Sequence, residues 1–270
     1  MRQSTLCAEI LFALAVAAAH VAAQNAVRPS DLDLAAITER GRMLAEYDAA
    51  VWHATDAVQV ANPKNAAGAQ YLAKKENGRW MVMCGSLDAD KTKFVIAYEA
   101  QQLARTQEFS VKKDEPAKND TGFYLFAARA LKLALADFGL AGRPYNAAVL
   151  PANESSATGS AAELYVYLYP AQTKQGVYPL GGDVRYFVSA DGRKILSKRA
   201  MHRTVIENPA PRGKKVVTGT HRHIVSDEPE DSDVLHVLQQ DPPVQEMVST
   251  PHFVYEVASD GTIRIKKQKK

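Results

Sequence analysis

The apolar residues of this chain change their period near Gln70, and that change constrains the fold more than any other feature of the sequence. Before it, Leu34, Ile37, Leu44, Val51 and Val58 fall on one stripe of a helix. The spacing predicts a helix from about 31 to 60, opened by a capping box of Ser30 and Asp33 after Pro29. Asn62-Pro63 closes it, because proline disfavours helical geometry in the residue before it.

Beyond Gln70 the pattern alternates. Trp80, Val82 and Cys84 oppose Met81 and Met83, and Asn77-Gly78 supplies the positive φ angles of a two-residue hairpin turn. Phe94, Ile96 and Tyr98 repeat the alternation, so a three-stranded antiparallel meander is expected. The charged stretch Lys112 to Asp120, with Pro116, reads as a loop delivering Asp120 or Thr121 as the cap of a second helix. That helix carries Phe123, Ala127, Ala130, Leu131, Ala134 and Phe138 on its apolar face and ends at Gly139. After the small, polar stretch 153–162, a lobe boundary in this reading, strands are expected at 163–169, 184–189, 194–204, 215–225, 233–238, 253–258 and 262–266. The expected fold class is therefore α+β: an extensive twisted antiparallel sheet of meanders and hairpins, partly closed, with two main helices packed against it.

Residues 1–23 read as an export leader. Arg2 gives the positive start, Ile10 to Ala19 the apolar run and Val21-Ala22-Ala23 the cleavage site. The run is about half the ~20 residues that a spanning helix needs. A periplasmic or secreted, released protein follows, as one α+β domain over 24–270. Of the two cysteines, Cys7 would leave with the leader, so Cys84 has no intramolecular disulfide partner. Stability must then come from a packed core. A net charge of +3 is too small to imply nucleic acid, and no later segment is apolar enough to span a membrane. The basic end, Arg264 to Lys270, is read as a solvated, frayed tail.

Three features bear on chemistry. His221 and His223 form a His-x-His on an expected strand, where a period of two puts both rings on one face. Imidazoles so spaced can hold a divalent metal such as zinc. A third ligand would come from His202, if 194–204 pairs with 215–225, or from His236, if 215–225 pairs with 233–238. The segment Asp227 to Asp233 places five carboxylates within seven residues but lacks the glycine and closing glutamate of a calcium loop, so it reads as a solvated acidic turn. Finally, Tyr165, Tyr167 and Tyr169 alternate with Leu164, Val166 and Leu168. The tyrosines form either an exposed aromatic face for an unknown protein or glycan partner, or a buried layer under the first helix with the hydroxyls at its margin.

Two functions remain open on these residues. One is a non-catalytic exported binding domain that requires no cofactor. The other is a metal-dependent hydrolase using His221 and His223 with His202 or His236. No Gly-x-Ser-x-Gly elbow or phosphate-cradling glycine loop is present.

Overall fold

A computed structural model describes residues 28–61, 69–104, 106–139, 141–152, 162–207, 216–224 and 226–269. The leader and almost all of the 153–162 stretch lie outside these residues.

The first helix, α1 (Asp31–Ala61), begins at the expected box. The Asp33 N–H donates to Ser30 Oγ and the Ser30 N–H to Asp33 Oδ2, both at 3.1 Å. Its buried stripe is Leu34, Ile37, Leu44, Ala54 and Val58, joined by Gly41, Tyr47 and Ala50, with Val51 at the margin. Four strands follow as an antiparallel meander: β1 (Gln70–Glu76), β2 (Arg79–Leu87), β3 (Phe94–Gln102) and β4 (Phe109–Asp120). Asn77 and Gly78 adopt φ of 49° and 75°, the left-handed pair that the first hairpin requires.

The charged stretch from Lys112 is strand rather than loop. Tyr98 pairs with Lys113 and Ile96 with Lys118, so residues 114–117 bulge outward and Pro116 takes no place in the ladder. The charges are tolerated because β4 is an edge strand, where Lys112 and Lys118 bridge Asp114 and Glu99. The N-cap of α2 (Phe123–Phe138) is Gly122 rather than Asp120 or Thr121, but Asp120, two residues earlier, accepts the N–H groups of Gly122 and Leu125 and so satisfies the first turn; the helix ends at Gly139 with φ 77°.

The second four-stranded sheet has the order β5 (Tyr145–Pro151), β6 (Leu164–Pro170), β8 (Val184–Val188), β9 (Ile195–Ala200) and is antiparallel throughout. These two sheets share two cores, one on each face. Beneath α2 lie Leu72, Phe94, Val149, Val166, Leu168 and Tyr186. Beneath α1 lie Trp80, Val82, Cys84, Tyr98, Leu150 and Tyr167.

A short pair, β7 (Leu180–Gly181) with β10 (Val205–Ile206), leads to the third sheet: β11 (Gly219–Arg222), β12 (Glu246–Ser249), β13 (Phe253–Val257) and β14 (Ile263–Gln268). Here two expectations fail. Residues 233–238 are not a strand but part of a third helix, α3 (Asp231–Gln239), and β11 pairs in parallel with β12 instead of forming a hairpin. The helix wins because Glu230 and Asp233 form a reciprocal capping box and Val234, Leu235 and Val237 bury one face. The parallel pairing follows from it, since α3 is the crossover that returns the chain in the same direction. The basic end is ordered as β14, and Lys269 Nζ bonds Ser249 Oγ and the Thr250 carbonyl.

The architecture is thus α+β, with three helices and three four-stranded sheets among the described residues; none of the sheets closes. No described helix is long and apolar enough to cross a membrane.

Candidate metal centre

The turn after one strand, a second strand with the residue that follows it, and the start of a helix bring His202, His221, His223 and Asp233 together. His202 follows β9. It is placed by the β7–β10 crossing, where Gly181 approaches so closely that an added Cβ would lie 2.3 Å from the Thr204 carbonyl oxygen. His221 lies on β11 and His223 one residue past its end, so the two-residue period does aim both rings the same way. Arg222, between them, is exposed on the reverse side.

The Nε2 atoms converge. His202 and His223 are 2.8 Å apart at Nε2, and His221 and His223 are 3.0 Å apart. Asp233 Oδ1 stands 3.2 Å from His202 Nε2 and 3.1 Å from His221 Nε2, with Oδ2 at 3.2 Å from His223 Nε2. The far nitrogen of every ring faces an acceptor. His202 Nδ1 is 2.8 Å from Asp183, His221 Nδ1 is 2.8 Å from Glu246, and His223 Nδ1 is 2.9 Å from the Glu228 carbonyl. Carboxylate and carbonyl oxygens cannot donate, so each Nδ1 carries a proton, and a ring in its neutral form turns a lone pair inward at Nε2.

Three lone pairs and a carboxylate aimed at one point repel one another unless a cation lies between them. Asp233 makes the same demand. Its Oδ2 accepts the Glu230 N–H at 2.7 Å within the helix cap, while Oδ1 is buried with no hydrogen-bond partner among the described residues. The side chains are 10% (His202), 3% (His221), 1% (His223) and 0% (Asp233) exposed, so bulk water cannot satisfy them.

Three imidazoles and one carboxylate are a donor set for a transition-metal ion. At metal–ligand bonds of ~2.0–2.1 Å the donors of a tetrahedral site stand about 3.3 Å apart. Four of the six separations among the three Nε2 atoms and Asp233 Oδ1 are 2.8–3.2 Å, slightly tighter than this, and one ligand atom of each residue lies within 4.8 Å of the others. The partners on Nδ1 fix each tautomer and raise the basicity of Nε2. The group could therefore hold a metal.

In the absence of a metal, protons meet the same demand. Burial pushes the His202 ring down, but Asp233 first and then Asp183 hold it up to about 11. Burial also opposes the charge on His221, which Asp233 and Glu246 hold up to about 9. Burial would raise Asp233, yet the three rings hold its carboxyl well below the usual range.

His236 takes no part. It lies one turn beyond Asp233 on α3, where its Nε2 is 3.5 Å from Glu246 Oε2, and that carboxylate occupies the ground between it and His221. The expectation that 233–238 is a strand placed it in the wrong direction. Asp233 is the member of the group that the sequence reading does not name as a candidate ligand. It was legible as the third residue after Glu230 in a capping box but was grouped with a solvated acidic turn.

That turn is not solvated. Glu230, Asp231 and Asp233 are all buried. Asp231 is held by Arg40 at 3.0 Å, by Arg185 and by the Tyr167 hydroxyl at 2.8 Å. Glu230 pairs with Arg199 at 2.5 Å. Guanidinium groups claim these two carboxylates, whereas the ionisable partners of Asp233 are the three histidines.

The tyrosine row is likewise not an exposed binding face. Tyr167 and Tyr169 are buried under α1, with hydroxyls donating to Asp231 and to Asp48 Oδ1, and Tyr165 is half-buried against Phe187 and Arg185. No protein-family model, curated protein or solved structure matches the chain.

Proposed function

We propose that this chain is a non-catalytic binding protein whose C-terminal half is stapled by a structural transition-metal ion of the zinc type, held by His202, His221, His223 and Asp233. The observation that carries the reading is the convergence of three Nε2 atoms, each ring's Nδ1 being engaged by an acceptor, on a buried carboxylate oxygen with no hydrogen-bond partner among the described residues. Catalytic zinc keeps a position open for water or substrate, usually with three protein ligands, whereas structural sites use four and are closed. Four donors, all nearly or fully buried, favour the structural role over the hydrolase alternative.

The staple has a clear physical task. Its ligands come from the turn after β9, from β11 and the residue that follows it, and from the start of α3, and an ion would add a cross-link to the apolar packing of Met201 with Leu235. Closing loops of this length by a metal restricts the unfolded chain much as a disulfide would. The export reading of residues 1–23 belongs to the same proposal. A released chain retaining only the buried Cys84 has no disulfide of its own, and a metal cross-link fills that role.

Cobalt substitution tests the closed site. The Co(II)-loaded protein should show the intense visible absorption of four-coordinate cobalt, and this spectrum should not change on adding azide or cyanide. A spectrum that responds to those anions would reveal an open position and restore the hydrolase reading.

A further inference from the structure

A second site lies away from the metal centre, in a cleft of about 770 Å³ between the middle of α1, the ends of β5 and β6 and the segment that follows α3. Its volume is within the range of small-molecule sites. Trp52 stands on its rim at 63% exposure, and its indole is stacked by the His53 ring at 4.9 Å and an interplanar angle of 20°. A large, exposed aromatic held in one orientation by a neighbour is a platform rather than a core residue left outside.

The cleft floor is polar and already organised. Asp48 accepts from the Tyr169 hydroxyl at 2.6 Å, from Asn146 Nδ2 at 3.3 Å and from Gln239 Nε2 at 2.8 Å. Those bonds fix both amides at the floor and leave the carboxylate committed to internal donors. Gln107, Gln172 and Gln240 add further amides, and the described lining contains no lysine or arginine. Without cations the cleft offers nothing to phosphate or carboxylate ligands. Asp48 is already paired, which leaves Asp241, exposed at the margin, as the one other carboxylate of the described lining.

We propose that this cleft binds a neutral oligosaccharide, one sugar ring stacking on Trp52 and its hydroxyls pairing with the amides of Asn146, Gln239 and their neighbours. Side-chain amides both donate and accept, as hydroxyl groups do, and an indole face matches the C–H face of a pyranose ring. The proposal is independent of the metal reading, since none of the four metal-site residues lines the cleft.

Calorimetric titration of the full chain with cellohexaose, maltohexaose, chitohexaose and mannohexaose up to millimolar concentration tests it. At least one should bind saturably. W52A should weaken that binding roughly ten-fold, W52F should keep it within about three-fold, and both should melt like the parent because Trp52 is exposed. A heparin hexasaccharide and tetralysine should not bind. Failure of all four neutral hexasaccharides to saturate, equal binding by W52A, or Trp52-dependent binding of tetralysine would each overturn the proposal.

Discussion

Asp233 has two oxygens with two tasks: one closes the cap of α3 and the other faces the histidines. Replacing it with Asn keeps the shape and removes the charge that draws a cation inward. D233N should lose stoichiometric metal while retaining its helix content, as measured by elemental analysis beside circular dichroism. The residues behind the ligands matter at the next order. D183N leaves His202 Nδ1 without its carboxylate, and zinc affinity should fall about 10–100-fold in a chelator competition. An unchanged affinity would place His202 outside the site.

Glu230 provides a pH-dependent contribution at the same scale. Burial raises its carboxyl to about 7, in spite of Arg199. A group whose folded pKa lies above its unfolded value stabilises the fold fully below about pH 4.5, and that contribution is lost as pH rises through about 7. The loss is on the order of 3 kcal/mol. Urea denaturation at pH 5 and pH 8 should show this decline in the parent and a flatter profile in E230Q; identical profiles would contradict it.

At the scale of elements, α3 is the hinge between core and site. Gly41 on α1 lets it approach, since an added Cβ would stand 2.4 Å from Val234 Cβ and 2.7 Å from the Asp231 carbonyl oxygen. Alanine would gain about 1 kcal/mol of helix propensity. The overlap costs more, typically 1–3 kcal/mol, because backbone is among the atoms that must shift. G41A should therefore lower stability and also weaken metal binding, because α3 carries Asp233. Zinc affinity equal to that of the parent would separate α3 placement from the site.

Elements also show what was legible in the sequence. The long helix, the Asn77-Gly78 hairpin and the Asp120 bonds to the first turn of α2 each rest on residues within a few positions of one another, so local reading finds them. The pairing of β11 with β12 depends on a helix between them, and reading Val234-Leu235-His236-Val237 as a strand removed that helix. The same misreading hid Asp233 and promoted His236. The His-x-His was legible because a strand turns alternate residues the same way. Of its partners, His202 was legible as a candidate third ligand, but not the route that delivers it: strand 194–204 does not pair with 215–225, and His202 arrives instead beside the pairing of β7 with β10. The tyrosine row was legible as two-faced, but which face α1 covers is decided by packing at long range.

For the whole molecule, an ion held by the four residues would tie the third sheet and α3 to the turn after β9, while most of the two cores beneath α1 and α2 lies away from it. Metal removal should consequently destabilise the C-terminal half first. After a strong chelator, limited proteolysis should cut within 202–246 while the region 31–138 stays protected; uniform digestion would mean that the ion, if bound, holds nothing local.

The most direct measurement is the metal content of the purified full chain set beside that of the H221A/H223A variant. The geometry predicts about one equivalent of a divalent transition metal per chain in the parent and none in the variant. A parent chain that carries no metal, and that takes up none when titrated with zinc at neutral pH, would contradict the metal centre outright.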